Sequence, residues 1–316
     1  MLVKLLKFLL LLILLAIAGA VALFFYAKNY LNEEITVTQN VYIPKGSSKA
    51  ALQALHKSGI DVGELDYYLI KLIGYPQAGW IDLGKTRMRR ADFLYQITHA
   101  KAASRPVTLI PGETKVLFLQ QLARELDLNV TKLHKAYDRY SKIPEGVLIA
   151  DTYAVARGID EDALMRYLIE KSMQRHRNIA KEQLGRYEES EWFGKYVTIA
   201  SIIQKEAADN DEMPLVSAVI YNRLKKKMKL QMDGTLNYGR FSHQKVTPQR
   251  IREDNSSYNT YKIPALPPYP VCAVGTTALM AAIHPADVPY LYFVKGKDGK
   301  HRFTTTYKAH RREIHR

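Results

Sequence analysis

The chain has 316 residues, 47% of them hydrophobic and 24% charged, which suits two or three packed globular units and excludes a disordered protein. Its single cysteine, Cys272, excludes an internal disulfide and a zinc site built from several cysteines. The net charge of +15 favours a polyanionic partner, namely nucleic acid, anionic lipid or a carboxylate-rich polymer.

The first predicted element is a membrane-spanning helix over residues 8–27, FLLLLILLAIAGAVALFFYA. It carries no charge and is long enough to cross the hydrocarbon core of a bilayer. Lys4 and Lys7 precede it, so the positive-inside rule places residues 1–7 in the cytoplasm and the rest of the chain outside. That location argues against DNA or RNA as the working partner.

The small residues Ala16–Ala20 also resemble a signal-peptidase site, which would make this helix a cleaved signal. The apolar run continues through Phe25, however, and a cleaved signal does not need that extension. We therefore expect an uncleaved anchor, and the bulk of the chain is exported in either case.

A polar stalk is predicted for residues 28–40, followed by a small α+β module over residues 41–105. The module begins with VYIPKGSSKAALQALHKSGI, which predicts a strand, a Pro-Lys-Gly turn, a serine cap and a helix. Residues 107–126 repeat this order with Thr114 as the cap, and the two segments together predict the module. The charged, mainly helical residues 106–190 connect it to the last domain.

Composition changes near Glu191, and residues 191–316 are predicted to form the final domain. A helix over 192–208 and an acidic link precede a second helix over 215–227. The buried face of the second helix is predicted to consist of Leu215, Val216, Val219, Ile220 and Leu224. A loop-rich segment follows, and the C-terminal stretch indicates a strand, a glycine-containing turn and a second strand.

The first of these two helices places a carboxylate on its apolar face. At about 100° per residue, three side chains lie within roughly 60° of Glu206 around the helix axis: Ile199, Ile202 and Ile203. A carboxyl group held against apolar side chains resists ionisation, so its pKa should rise and it can carry a proton near neutral pH. The alternative is a glutamate at the edge of the stripe that reaches solvent.

The sequence shows no motif for a metal site, a serine nucleophile or a bound nucleotide. The histidines at 243, 284, 301, 310 and 315 show neither HxxxH nor HxH spacing, so we predict no metal site. There is no GxSxG elbow, P-loop or dinucleotide fingerprint, and no cofactor is expected.

Several motifs occur in order between Ala200 and His310: ASIIQKEA, SAVIYNRLKKKMKLQMDGTLNYG, YNTYKIPALPP and AAIHPADVPYLYFV. Together they resemble the endolytic murein transglycosylases, the MltG/YceG-like family. Upstream, PEGVLIADTY resembles the EGxLFPDTY element of that family, and residues 41–60 resemble its LysM-like segment. The resemblance implies an α+β chain with a single N-terminal transmembrane helix, a small LysM-like α+β module and a mixed helical and strand catalytic domain.

The resemblance also implies an activity. It implies a lytic transglycosylase, a lyase that cleaves the MurNAc–GlcNAc bond of nascent peptidoglycan strands, leaves 1,6-anhydroMurNAc ends and thereby terminates strand elongation. The family's catalytic glutamate is the last acidic residue of an ASI(I/V)EKE stretch, which is Glu206 here, while Gln204 replaces the earlier acid. The implied location is the inner membrane, with the C-terminal bulk in the periplasm, glycan strands as substrate and murein synthases as candidate partners.

Candidate substrate-binding residues lie in two loops. Asp233 is expected to stabilise a sugar cation, bind sugar hydroxyls or only form an Asx-turn before Gly234, and Gln231 to bind sugar amides or cap the preceding helix. Three further residues suit stacking on sugar faces and bonding of N-acetyl groups, or else packing under the proline-rich loop: Tyr258, Asn259 and Tyr261.

The sequence departs from the family pattern at several loop positions. Ala150 and Gly234 stand where the family has proline, and Tyr269 and Val274 replace residues of its PPGxxxxPG run. These changes alter the stiffness of the loops, and so the expected shape of the sugar cleft.

Two alternatives remain open at this point. One is a non-catalytic, membrane-anchored scaffold that binds the cell wall and serves the murein synthesis machinery. The other is a hydrolytic glycosidase that uses Glu206 with Asp233, which requires the two carboxyl groups at the spacing of a retaining or inverting pair.

Overall fold

The computed structural model describes residues 2–44, 46–99 and 103–315 and divides into two compact units. The first unit comprises Met1–Arg105 with Val155–Ile159, and the second comprises Pro106–Ala154 with Asp160–Arg316. Met1 of the predicted tail, Lys45 of the predicted turn, residues 100–102 of the predicted module and Arg316 of the predicted final domain lie outside the described residues. The predicted mixture of helices and strands is confirmed.

The first unit begins with helix α1 (Leu2–Asn32), of which Lys7–Asn32 is long and apolar enough to cross a membrane. The side chains from Phe8 to Tyr26 are largely exposed, as expected for a surface that faces lipid. The helix continues beyond the predicted end at Ala27 because Leu31 packs against the core of the unit.

Two antiparallel strand pairs and three helices complete the first unit. Strand β1 (Glu34–Thr36) pairs with β4 (Arg87–Arg89), and β2 (Asn40–Ile43) pairs with β3 (Gly79–Asp82). The helices are α2 (Ser48–Lys57), α3 (Glu64–Ile73) and α4 (Arg90–His99). Their core includes Leu55, Ile70, Ile81, Phe93, Leu94 and Ile97.

The strand and the serine-capped helix predicted at the start of residues 41–105 are confirmed. Ser47 Oγ accepts a hydrogen bond from the backbone N–H of Ala50 and so caps α2, whose buried face carries Ala51, Leu52 and Leu55. Residues 28–40, predicted as a stalk, contain the end of α1 and all of β1, and Ile35 and Val37 lie in the core.

A buried arginine joins α1 to this unit. Arg90 is 2% exposed, and its guanidinium carbon lies 4.1 Å from the ring centroid of Tyr30. Its Nη1 donates to Asp66 Oδ2 at 3.0 Å, and its Nη2 donates to Asp61 Oδ2 at 2.8 Å and to Glu33 Oε2 at 3.2 Å. Because the Tyr30 hydroxyl also donates to Asp66, the end of α1 belongs to the same hydrogen-bond network as α3 and α4.

The second unit begins at Pro106, within β5 (Ser104–Thr108), and continues through α5 (Lys115–Leu126), α6 (Val130–Tyr140), α7 (Glu161–Leu184) and α8 (Glu189–Glu191). Strand β6 (Thr152–Ala156) begins in the second unit, and its last two residues belong to the first. A π-helical turn, Trp192–Val197, leads into α9 (Thr198–Glu206), which packs against α10 (Met213–Lys225) and α12 (Thr276–Ile283). Between them lie the 3₁₀ turns Asp233–Leu236 and Gly239–Phe241 and helix α11 (Pro248–Glu253). The hairpin of β7 (Tyr292–Lys295) and β8 (His301–Thr304) and helix α13 (Tyr307–Ile314) end the unit.

The structure confirms the C-terminal strand–turn–strand and both long helices, with shifted ends. The helix predicted over 192–208 begins as a π-helix and ends at Glu206, two residues early. On α10, the predicted buried residues Val216, Val219 and Ile220 are fully buried, whereas Leu215 and Leu224 are half-buried.

The second strand–turn–helix segment, 107–126, lies in the second unit and not with residues 41–105. Thr114 occupies the N-cap position of α5, but its hydroxyl donates to the backbone oxygen of Gly239. The carboxylate of Glu145 accepts from the backbone N–H of Lys115 instead, at 2.9 and 3.1 Å.

We expect the substitution Arg90→Met to lower the free energy of unfolding of the full chain in detergent by about 3 kcal/mol, because it leaves the fully buried Asp66 without its cation. Arg89→Met is the matched control, because Arg89 pairs with Asp92 at the exposed surface. Thermal or denaturant unfolding measures both, and equal losses for the two variants would contradict the role given to Arg90.

Candidate active site

Helix α9 ends at Glu206, with the predicted apolar stripe behind this residue. Ile199, Ile202 and Ile203 are fully buried. Glu206 Oε1 accepts a hydrogen bond from the backbone N–H of Gly234 at 2.6 Å, which joins the end of α9 to the first 3₁₀ turn. The helix therefore presents its last carboxyl group to the loop that carries two of the predicted binding residues.

The pKa of Glu206 is raised to about 7, and burial is the largest cause. The Gly234 N–H opposes this shift because it stabilises the carboxylate, whereas the nearby charge of Asp233 adds to it. The residue as a whole is only half-buried, so its carboxyl group is shielded by protein yet reachable from one side. A group with this pKa is partly protonated at neutral pH.

Gly234 has no room for a side chain. A Cβ atom on this residue would lie 2.6 Å from the Cβ of Lys205 and 2.9 Å from Glu206 Oε1. The proline that the family pattern has at this position would also lack the N–H that Glu206 accepts. The glycine is therefore what permits the close contact between the turn and the acid.

Glu206 lines a cavity of about 450 Å³. The predicted residues Gln231, Asp233 and Tyr261 line it as well. Its other walls come mainly from the C-terminal hairpin and helix, and include Arg223, Tyr292, Phe293, Tyr307 and His310. The cavity combines carboxyl, amide, phenol and imidazole groups with aromatic rings, a set suited to a polar ligand with flat faces.

The structure gives the three predicted lining residues distinct environments. The carboxylate of Asp233 accepts from the Tyr261 hydroxyl at 2.7 Å, so this side chain bridges two loops rather than closing its own turn. Gln231 is exposed and has a φ of 50°, a left-handed conformation uncommon for a residue other than glycine. Its backbone N–H donates to the oxygen of Thr260, which holds the two loops together.

Tyr258 and Asn259 are not among the residues that line the cavity. Asn259 is fully buried, and its amide donates to the backbone oxygens of Ile251 and Asp254, both at 2.8 Å. Tyr258 stacks on Tyr238 with ring centroids 4.5 Å apart. Both therefore shape the loop that presents Tyr261.

Sequence reasoning missed the walls supplied by the C-terminal elements. Tyr292 stacks on His310 at 5.2 Å between ring centroids. Arg223 is buried and donates to the backbone oxygens of Leu291 and Leu230, each at 2.6 Å. These two hydrogen bonds hold the segments that form opposite walls of the Glu206 cavity. Burial and the charge of Arg223 lower the pKa of His310. Among these wall residues, Arg223 falls within the second family motif, and Tyr292 and Phe293 fall within the last one. Tyr307 and His310 follow that last motif.

A second buried carboxyl, Glu145 in PEGVLIADTY, also has its pKa raised by burial to about 7. Backbone N–H groups of Lys115 and Gly146 donate to it. It is 9% exposed and is not among the residues that line the Glu206 cavity. The geometry therefore gives Glu145 a structural task at the start of α5, and leaves Glu206 as the acid that a ligand can reach.

The fold and this site together define a mixed α+β protein with one shielded carboxyl group at the wall of a polar, aromatic cavity. The chain belongs to the YceG-like family, whose family model matches residues 41–316.

Two curated relatives of this chain share the same protein name. A Bacillus subtilis (strain 168) protein named endolytic murein transglycosylase is 30% identical over 94% of this chain and 89% of its own length. A Streptococcus pneumoniae (strain D39) protein of the same name is 26% identical over 54% of this chain and 31% of its own length. A solved structure of a YceG-like protein from Listeria monocytogenes has a TM-score of 0.55 at 23% identity, covers 89% of this chain and 99% of that one, and shows a shared fold.

We expect Glu206→Gln to stabilise the protein at pH 8 but not at pH 4. A carboxyl whose pKa is near 4.5 in the unfolded chain and about 7 in the folded one favours folding less and less as pH rises between these values. Because Glu206 is half-exposed, the gain at pH 8 should be about 1–3 kcal/mol.

Denaturant unfolding of wild type and variant across pH 4–9 measures this difference. Glu182→Gln on α7, which makes the same substitution at an exposed position, is the matched control. A pH-independent difference for Glu206→Gln would show that the folded protein does not shield this carboxyl.

Proposed function

We propose that this chain is a membrane-anchored endolytic peptidoglycan lytic transglycosylase with Glu206 as its single catalytic acid and base. The observation that carries the proposal is a carboxyl group with a pKa of about 7 at the wall of a cavity. The names of the Bacillus and Streptococcus relatives support peptidoglycan as the substrate.

In the proposed reaction, protonated Glu206 donates its proton to the oxygen that links N-acetylmuramic acid to N-acetylglucosamine. The C1–O bond breaks and positive charge develops on the muramic ring. The 6-hydroxyl of the same ring then attacks C1, and the carboxylate of Glu206 accepts the hydroxyl proton. The products are a 1,6-anhydro end and a free 4-hydroxyl, and Glu206 regains its starting state without the entry of water.

The hydrogen bond from Gly234 prepares the acid for this task. Because the N–H requires an acceptor, it holds Oε1 as the unprotonated oxygen and leaves the proton on Oε2. When Glu206 becomes a carboxylate, the same N–H stabilises the charge. One donor therefore serves both halves of the reaction.

Asp233, Tyr261 and Gln231 are the proposed sugar-binding residues beside this acid. Asp233 carries negative charge next to the ring on which positive charge develops, and its bond to Tyr261 holds it in place. Tyr258 and Asn259 act through the loop that presents Tyr261. A single glutamate suffices because no water has to be activated.

We further propose the placement of the chain in the cell. Residues 8–27 anchor it in the inner membrane with residues 1–7 in the cytoplasm, and the bulk in the periplasm, where residues 41–105 form a LysM-like module and 191–316 the catalytic domain. A catalytic site tethered in this way acts on nascent strands close to their synthases and so ends their elongation.

We expect Glu206→Gln to reduce the release of anhydro-ended fragments from purified murein by at least about a hundredfold, because the amide cannot exchange a proton. Glu182→Gln is the matched control and should leave the rate unchanged. Mass spectrometry of the digests distinguishes anhydro ends from reducing ends.

The alternatives give different results in this assay. Reducing ends from the wild type would indicate a hydrolase that uses Glu206 with Asp233. Wall binding without cleavage by the wild type, unchanged in Glu206→Gln, would favour the non-catalytic scaffold.

We also expect kcat/KM of the wild type to fall above pH 7, because the free enzyme must hold the proton of Glu206 and loses it as pH rises through about 7. Asp233→Asn should move this fall in kcat/KM to lower pH, since the charge of Asp233 raises the pKa of Glu206. Rates on uncross-linked glycan from pH 5 to 9 provide the measurement. A rate that stays constant to pH 9, or a shift to higher pH in the variant, would contradict the assignment.

A further inference from the structure

Helix α13 presents two different surfaces. Tyr307 and His310 line the Glu206 cavity. The outer surface carries Lys308, Arg311 and Arg312, all exposed, and with Tyr307 it borders an adjoining open concavity of about 580 Å³. Tyr307 lines both spaces, so a ligand that leaves the Glu206 cavity past this ring meets the basic surface next.

The basic residues of this outer surface have no acidic partner in the part of the chain that the structure describes. Among residues 2–44, 46–99 and 103–315, no carboxylate forms an ion pair with Lys308, Arg311 or Arg312. The one acid of the helix, Glu313, is half-buried and lies 3.5 Å from Arg302. Three cationic groups are therefore available to an anionic ligand at neutral pH.

We propose that the outer surface of α13 binds the carboxylates of the peptides attached to the glycan strand, so that peptide-bearing strands are cleaved in preference to strands stripped of their peptides. This inference rests on the function proposed above. A muramic ring seated for reaction at Glu206 carries a lactyl-linked peptide, and that peptide bears free carboxylates. Each of the two guanidinium groups can donate a pair of hydrogen bonds to one carboxylate in bidentate geometry.

The wall residue that the two spaces share, Tyr307, favours this ligand over an anionic lipid surface. A peptide is covalently attached to the sugar that occupies the cavity, so its local concentration at α13 is high once the strand is bound. A lipid headgroup has no such link to the cavity. Binding to lipid vesicles therefore distinguishes a lipid ligand from a peptide ligand.

The test uses the full chain in detergent and the double variant Arg311→Glu with Arg312→Glu. The control is Lys132→Glu with Lys135→Glu, which changes the net charge equally at exposed positions of α6. Each is compared on uncross-linked strands that carry peptides and on the same strands after amidase treatment. Binding is measured with Glu206→Gln added to every protein, and cleavage with Glu206 intact.

We expect the parent protein and the α6 control to bind peptide-bearing strands about tenfold more tightly than stripped strands, and the α13 variant to lose this difference. Binding of stripped strands should be the same for all three. The preference should also shrink as salt is raised, because the groups are exposed.

Equal weakening of both strand types by the α13 variant, or a preference that survives in it, would overturn the inference. So would an effect of the variant only on vesicles containing phosphatidylglycerol, which would assign the surface to lipid. Because binding is measured without cleavage, a peptide preference in a protein that releases no anhydro ends would refute the proposed activity and leave only the peptide-binding part of this inference standing.

Discussion

The hydrogen bond between the Gly234 N–H and Glu206 Oε1, 2.6 Å long, brings the end of α9 against a loop that the chain reaches only after another helix. Burial raises the pKa of Glu206, and the hydrogen bond from the Gly234 N–H limits that rise. The balance of the two sets the pKa near neutrality, where a single group can both give and take a proton. It also requires a glycine at 234, since a side chain there would collide with the acid.

The neighbours of Glu206 hold the surrounding loops by the same means. Gln204 Oε1 accepts from the backbone N–H of Gly275, and Lys205 Nζ donates to Ser242 Oγ at 2.8 Å. Three consecutive residues at the end of α9 thus contact three different loops. The apolar stripe fixes the helix from behind, and its last turn organises the polar site in front. This arrangement explains how a loop-rich region maintains a defined cavity.

Local patterns were sufficient to predict the apolar stripe beneath Glu206, the capped helix after Ser47 and the C-terminal hairpin, since each depends on residues close together in the sequence. Contacts between distant residues were not predictable in this way. The hydroxyl of Thr114 binds Gly239 rather than its own helix, because Glu145 already satisfies the first N–H of α5. Asn259 suited a sugar ligand by type, yet its amide donates to the backbone oxygens of Ile251 in α11 and of Asp254 at the end of that helix.

The account depends on a carboxyl group that keeps its proton at neutral pH because the protein shields it from water. The most direct measurement is a ¹³C NMR titration of the Glu206 carboxyl carbon, assigned by its absence in Glu206→Gln. The account predicts a midpoint near pH 7. A midpoint close to the ordinary glutamate value of 4.5 would contradict it.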